Sequence, residues 1–149
     1  MNKMLKLKLP AFTLIEILLA VALLAMILAI SLPLGQEYLN KNELENAKTL
    51  ITQTIRSAQA NAKAGKADAQ WGVRINDNAI TLFQGNSYAT RNTSVDVVIT
   101  WSDRFDATGV SELVFSKYNA LPSTTGTITI TGFELTSEIT INTQGNLLY

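Results

Sequence analysis

The sequence predicts an α+β chain in which one long amino-terminal helix packs on a carboxy-terminal antiparallel β-sheet or sandwich. Three observations predict it. No charge appears between Glu16 and Glu37, so Ile17 to Ile30 form an uninterrupted apolar run. Leu44, Ala47, Ile51, Ile55, Ala58 and Ala62 then recur at spacings of three and four, which lines one face of a helix. From Gln70 the apolar period changes to two, the mark of strands with one buried face.

Residues 1–11 form a basic leader that carries Lys3, Lys6 and Lys8 and no acid. The apolar run after it predicts a single transmembrane segment over about residues 15–36. The leader's cations would hold the amino terminus in the cytoplasm and send the rest of the chain outward. An ordinary cleavable secretory signal fits less well, because Glu16 interrupts the start of the apolar region and no Ala-x-Ala site follows it between Ser31 and Gln36. Glu16 is the candidate functional residue of this stretch. A carboxylate near a bilayer centre costs roughly 2.5–3.5 kcal/mol on insertion scales. In the first turns of a helix the positive dipole end favours an anion, and Phe12, four residues earlier, shares its face.

Pro33 removes a backbone donor, yet neighbouring segments in a membrane or filament can satisfy the freed carbonyl. The expectation is one bent helix over residues 12–66, kinked at Pro33, with its amphipathic part at about 37–63. Glu45, Lys48, Gln53 and Arg56 fill the side opposite the stripe. Burial of Leu44, Ile51 and Ile55 against a sheet would contribute roughly 5–9 kcal/mol gross, as an upper bound. Lys63-Ala64-Gly65-Lys66 supplies the cations and the glycine that end helices.

Residues 67–149 read as one β head, within the size of a single domain once the second half of the helix is added. Trp71, Val73 and Ile75 alternate with polar neighbours, the turn residues Asp77-Asn78 follow, and Ile80 and Leu82 resume: a hairpin. Further strands are expected at Ser94–Trp101, Ser111–Ser116, Gly126–Thr131, Glu138–Asn142 and Asn146–Tyr149. Val97, Ile99 and Trp101 share one strand face, which predicts a core or rim position for the tryptophan.

The residues Ala11-Phe12-Thr13-Leu14-Ile15-Glu16 and the apolar run behind them resemble the class III signal of type IV prepilins and pseudopilins. The resemblance implies a type IV pilin-like fold, cleavage by prepilin peptidase between Ala11 and Phe12, and N-methylation of the new Phe12 terminus. It also implies filament assembly in which Glu16 meets a neighbour's terminal ammonium, with Pro33 softening the helix. Ala11 stands where the family usually has glycine. In the head, Trp71-Gly72-Val73, Glu112–Ser116 followed by Gly126–Ile130, and the closing Ile139-Thr140-Ile141-Asn142-Thr143-Gln144-Gly145-Asn146 resemble the GspH/FimT group of minor pseudopilins and pilins. The function this implies is a structural subunit of a type II secretion pseudopilus or type IV pilus. The assembly platform and other pilin subunits would be its partners, with the inner membrane as its site before assembly and the periplasm or cell surface afterwards. A major pilin, or a surface-binding β domain on a plain membrane anchor, are the alternatives.

Composition narrows the chemistry. With no Cys and no His, thiol nucleophiles, His-based triads and Cys/His zinc sites are excluded. No phosphate-binding loop motif occurs. The expectation is a non-enzyme with no cofactor. Asp103, Asp106 and Glu112 around Gly109 read as a solvated acidic loop, since their spacing is not that of an EF-hand. Removal of the leader leaves acids in excess, and beyond Lys117 no cation appears, so no nucleic-acid partner is expected.

Overall fold

The computed structural model describes residues 12–149, with the side chains of residues 30–35 outside the description. Residues 1–11, and with them the Ala11 side of the expected cut, therefore lie outside the described residues. The protein is α+β. One helix, α1, runs from Leu14 to Lys63, a 50-residue span. A 3-10 turn at Lys66–Asp68 follows, and eight strands form two antiparallel sheets. The chain divides between Tyr38 and Leu39 into two compact units, so the second part of α1 belongs with the strands.

In the first unit α1 passes through Pro33 without interruption. The expected kink concerns a side chain outside the described residues. From Leu14 to Leu28 the apolar side chains point to solvent all round the helix. The expected membrane crossing over 15–36 is not met here: among the described residues no helix is long and apolar enough to cross a membrane.

In the second unit the rest of α1 packs under two four-stranded sheets. Strands β1 (Trp71–Asn76), β2 (Ala79–Gln84), β3 (Asn92–Thr100) and β5 (Glu112–Phe115) make the first, in the order β3-β2-β1-β5. Strands β4 (Asp106–Gly109), β6 (Gly126–Gly132), β7 (Leu135–Ile141) and β8 (Leu147–Leu148) make the second, in the order β4-β6-β7-β8. The β1–β2 hairpin turns at Asp77-Asn78, with Ile75 opposite Ile80. Three details depart from the expected strands. Asp106–Gly109 is a strand paired with β6 and not a loop. β7 starts at Leu135, and β3 starts at Asn92.

One core unites these layers. Ile51, Ile55, Ala58 and Ala62 of α1 are fully buried against Val73, Ile80, Leu113 and Phe115 of the first sheet and Ile128, Ile130 and Ile139 of the second. Leu44 is 5% exposed. Gly72 serves the opposite face of β1. A Cβ there would fall 2.6 Å from Phe83 Cζ and 2.8 Å from the Leu113 carbonyl oxygen. The fully buried Phe83 ring, edge-on to Tyr88, thus depends on a bare backbone beneath it.

α1 stops as its sequence asks. The Gly65 amide donates to the Ala62 carbonyl at 3.0 Å, with Gly65 in the left-handed region at φ 60°. That is the usual helix-ending conformation.

Candidate functional site at the start of the long helix

Glu16 lies in the first turn of α1, fully in reach of solvent. The two residues before the helix are Phe12, 76% exposed, and Thr13. Thr13 is the N-cap. Its carbonyl accepts from the amides of Glu16 at 3.1 Å and Ile17 at 3.2 Å. Its Oγ1 also accepts from the Glu16 amide, at 3.3 Å. The side chain thereby shares one of the orphan donors that every helix start leaves. Thr13 was not singled out from the sequence, yet Thr-x-x-Glu ahead of an apolar run is a capping-box signature that could have shown it.

The chemistry of this corner is that of one anion on an apolar rod. Leu14, Ile15, Ile17, Leu18 and Leu19 surround Glu16 and are all at least half exposed. Among the described residues no cation lies within ion-pairing distance of its carboxylate. The helix end provides partial compensation, because the dipole and the first-turn amides favour negative charge there. An apolar helix surface of this kind is stable only when something covers it.

The head holds the other residues the sequence suggested. Leu44, Ile51 and Ile55 stand in the shared core. Asp106 lies in β4, and Glu112 faces Arg74 at 3.6 Å and accepts from the Tyr88 amide at 2.9 Å, so the acids around Gly109 are drawn apart. Among the described residues no group of three or more acids could hold a metal. Trp101 is 8% exposed and donates its indole N–H to the Phe105 carbonyl at 2.8 Å.

Strained backbone gathers at the far end of α1. Ala67 and Asp68 in one turn, and Tyr118 and Ala120 in the turn facing it, all have positive φ. The two turns are clasped: the Tyr118 amide donates to the Ala62 carbonyl at 2.9 Å, and Lys117 pairs with Asp68. The ammonium's hydrogen bond holds the Asp68 carboxyl below its ordinary value, and the same bond raises Lys117. Beside the clasp a hollow of about 360 Å³ is lined by Arg56, Gln59, Lys63, Asn119 and Gln144. It contains cations and amides and no nucleophile paired with a base.

No family model matches the chain, nor does any curated protein or solved structure.

Proposed function

We propose that the chain is a subunit of a type IV pilin-like filament, a minor component of the GspH/FimT kind in a type II secretion pseudopilus or type IV pilus. One observation carries the reading. One carboxylate, Glu16, with no cation in ion-pairing distance among the described residues, sits in the first turn of an exposed apolar helix that begins two residues after Phe12.

Cleavage after Ala11 would turn Phe12 into a terminus with an ammonium, which prepilin peptidase would then methylate. That ammonium on one subunit is the complement of Glu16 on the next. Pairing removes two isolated charges from apolar surroundings, where each is costly alone. The apolar half of α1 would at the same stroke be covered by the same half of its neighbours. The membrane enters as the place where the subunit waits before assembly, with the head on the outer side. This component rests on the sequence; among the described residues no helix is long and apolar enough to cross a membrane. The head contributes no catalysis; it is a rigid body held on its helix by the Ile51 and Ile55 stripe.

The test is the intact mass and amino-terminal sequence of the full chain recovered from cells with and without an active prepilin peptidase. A chain starting at Phe12 with one added methyl, seen only with the peptidase, is the expected outcome. Glu16→Ala should then leave processing intact and remove the subunit from sheared filaments. An unprocessed start at Met1, or a cut beyond Ile30, overturns the reading.

A further inference from the structure

Two surfaces of the head carry charge that no ion pair among the described residues neutralises, and they are opposite in sign. The first is the flank of α1 beside the β7–β8 turn. Arg56 and Lys63 stand seven residues apart on α1, about 10.5 Å along the axis, and that spacing keeps them on one side of the helix. With Gln59, Asn119, Gln144 and Asn146 they line the hollow of about 360 Å³, which has no acid in its wall. The wall across from the helix is fixed. Asn142 Oδ1 accepts from the Gln144 and Asn146 amides at 3.0 and 2.9 Å, and the Gln59 side chain donates to the Gly145 carbonyl at 3.3 Å. Arg56 Nη2 donates to the Tyr149 hydroxyl at 3.0 Å, which aims the guanidinium and leaves its charge whole. Neither Arg56 nor Lys63 has an acid within ion-pairing distance among the described residues.

The second surface is the outward face of the second sheet. Asp106 of β4 stands opposite Thr131 of β6, and Glu138 of β7 stands opposite Thr129. Directly opposed residues point the same way, and Thr129 and Thr131 are two apart on one strand, so both carboxylates share the face opposite to the buried Ile128, Ile130 and Ile139. Two strands across and two residues along put them about 12 Å apart. Both acids are exposed, and β4, β6 and β7 contain no lysine or arginine. Neither acid has a cation within ion-pairing distance among the described residues. Threonines fill the rest of the face, so it is uncharged between the two acids and short enough in its side chains for a partner to come close.

We infer that these surfaces are the two halves of one contact: the outward sheet face of one copy of the chain docks on the α1 flank of a second copy, with Asp106 and Glu138 reaching Arg56 and Lys63. Sign and spacing select this occupant. Two acids about 12 Å apart meet two cations about 10.5 Å apart, a mismatch that long side chains absorb. In the hollow the amide side chains of Asn119, Gln144 and Asn146 can donate to the arriving carboxylates and exchange hydrogen bonds with the threonine hydroxyls between them. Pairing of like surfaces is disfavoured, because flank on flank sets cation against cation and face on face sets acid against acid. The contact is therefore heterologous. It leaves a free face on one copy and a free flank on the other, the arrangement from which rings and helical filaments grow. Exposed ion pairs are screened by salt, so the contact is salt-sensitive.

The inference does not rest on Glu16, on Phe12 or on the apolar half of α1, and its test separates them. The full chain, in non-ionic detergent at low salt, is reversed at one surface at a time. Arg56→Glu with Lys63→Glu gives a chain acidic at both surfaces, and Asp106→Lys with Glu138→Lys gives a chain basic at both. All four positions are exposed, so both variants should keep the native circular dichroism. In sedimentation the native chain should self-associate, and each variant alone should do so at least about fivefold more weakly, the upper worth of one exposed ion pair. Their equimolar mixture should recover the native affinity. A second measurement needs no variant: a carbodiimide, which joins an amine directly to a carboxylate, is applied to a mixture of isotope-labelled and unlabelled native chains. It should link Lys63 of one copy to Asp106 or Glu138 of another, and Glu16→Ala should leave that link unchanged. A mixture that associates no better than either variant alone, a Lys63 link confined to acids of its own copy, or a link lost in Glu16→Ala would each overturn the inference.

Discussion

Thr13 and Glu16 sit three residues apart and do separable work. Thr13 caps the Glu16 amide, whereas the Glu16 carboxylate has no cation partner among the described residues. Thr13→Ala should cost about 1 kcal/mol of local stability, the usual worth of an N-cap, read as roughly fivefold faster hydrogen exchange at Glu16 and Ile17. On the proposed function the same variant still enters filaments, and Glu16→Gln does not. Charge isolation made Glu16 legible in the sequence; the cap was equally written there but overshadowed by it. The Asp68–Lys117 clasp was not legible at all, because 49 residues separate the partners and each is an ordinary surface residue. Its pH dependence has a defined sign. Asp68 is depressed on folding, so its contribution is present above the ordinary carboxylate value of 3.8 and fades as pH falls through the lower folded value. Lys117 is raised, so its contribution is complete below 10.5 and fades as pH climbs through the higher folded value. The Asp68 carboxyl carbon, followed by NMR, should therefore titrate below 3.8 in the native chain and at a higher pH in Lys117→Ala.

Among the elements, the helix stripe was the most legible, since spacing of three and four over six apolar positions admits one explanation. The strands were legible where β-branched residues alternate and illegible where they do not. Asp-Ala-Thr-Gly has no apolar rhythm, and only its partner β6 makes it a strand. The β6–β7 turn was hidden for a different reason. It turns at Phe133-Glu134, both with positive φ at 51° and 62°, where Asn-Gly is the usual pair. Phe133 offsets its strain by packing edge-on to Phe105, and the Arg104 guanidinium lies 4.3 Å from its ring centre. Arg104 also reaches Glu43 at 3.3 Å and Asn40 at 3.1 Å, which ties the turn to the helix. Among the described residues no such contact supports Glu134. Glu134→Gly should accordingly stabilise the head by about 1 kcal/mol, the cost of holding an L-residue in that region, seen as a higher urea midpoint at constant slope. A lower midpoint would mean that the glutamate makes a compensating contact.

For the whole molecule, the division at Tyr38 and Leu39 sets what can be removed. The core extends from Leu44 to Ile141, with Leu147 packed on it, so nothing before Leu39 is needed for it. A chain starting at Leu39 is expected to unfold in one cooperative transition by tryptophan fluorescence. A chain starting at Ala64, stripped of Ile51 and Ile55, is expected to lose that transition and bind an apolar dye. The general α+β layout was readable from the change of period at Gln70. The pairing of strands into two sheets was not, because it depends on which partner each strand meets. The connection between β4 and β5 decides it: only Val110 and Ser111 separate them, yet β4 joins the second sheet and β5 the first. In terms of inheritance, that crossing stitches the sheets into a single heritable unit. A recombination breakpoint between Gly109 and Glu112 would split both sheets between the two parents. Exchange of material between related heads should therefore be tolerated at the loop tips, such as residues 85–91, and rejected across the stitch.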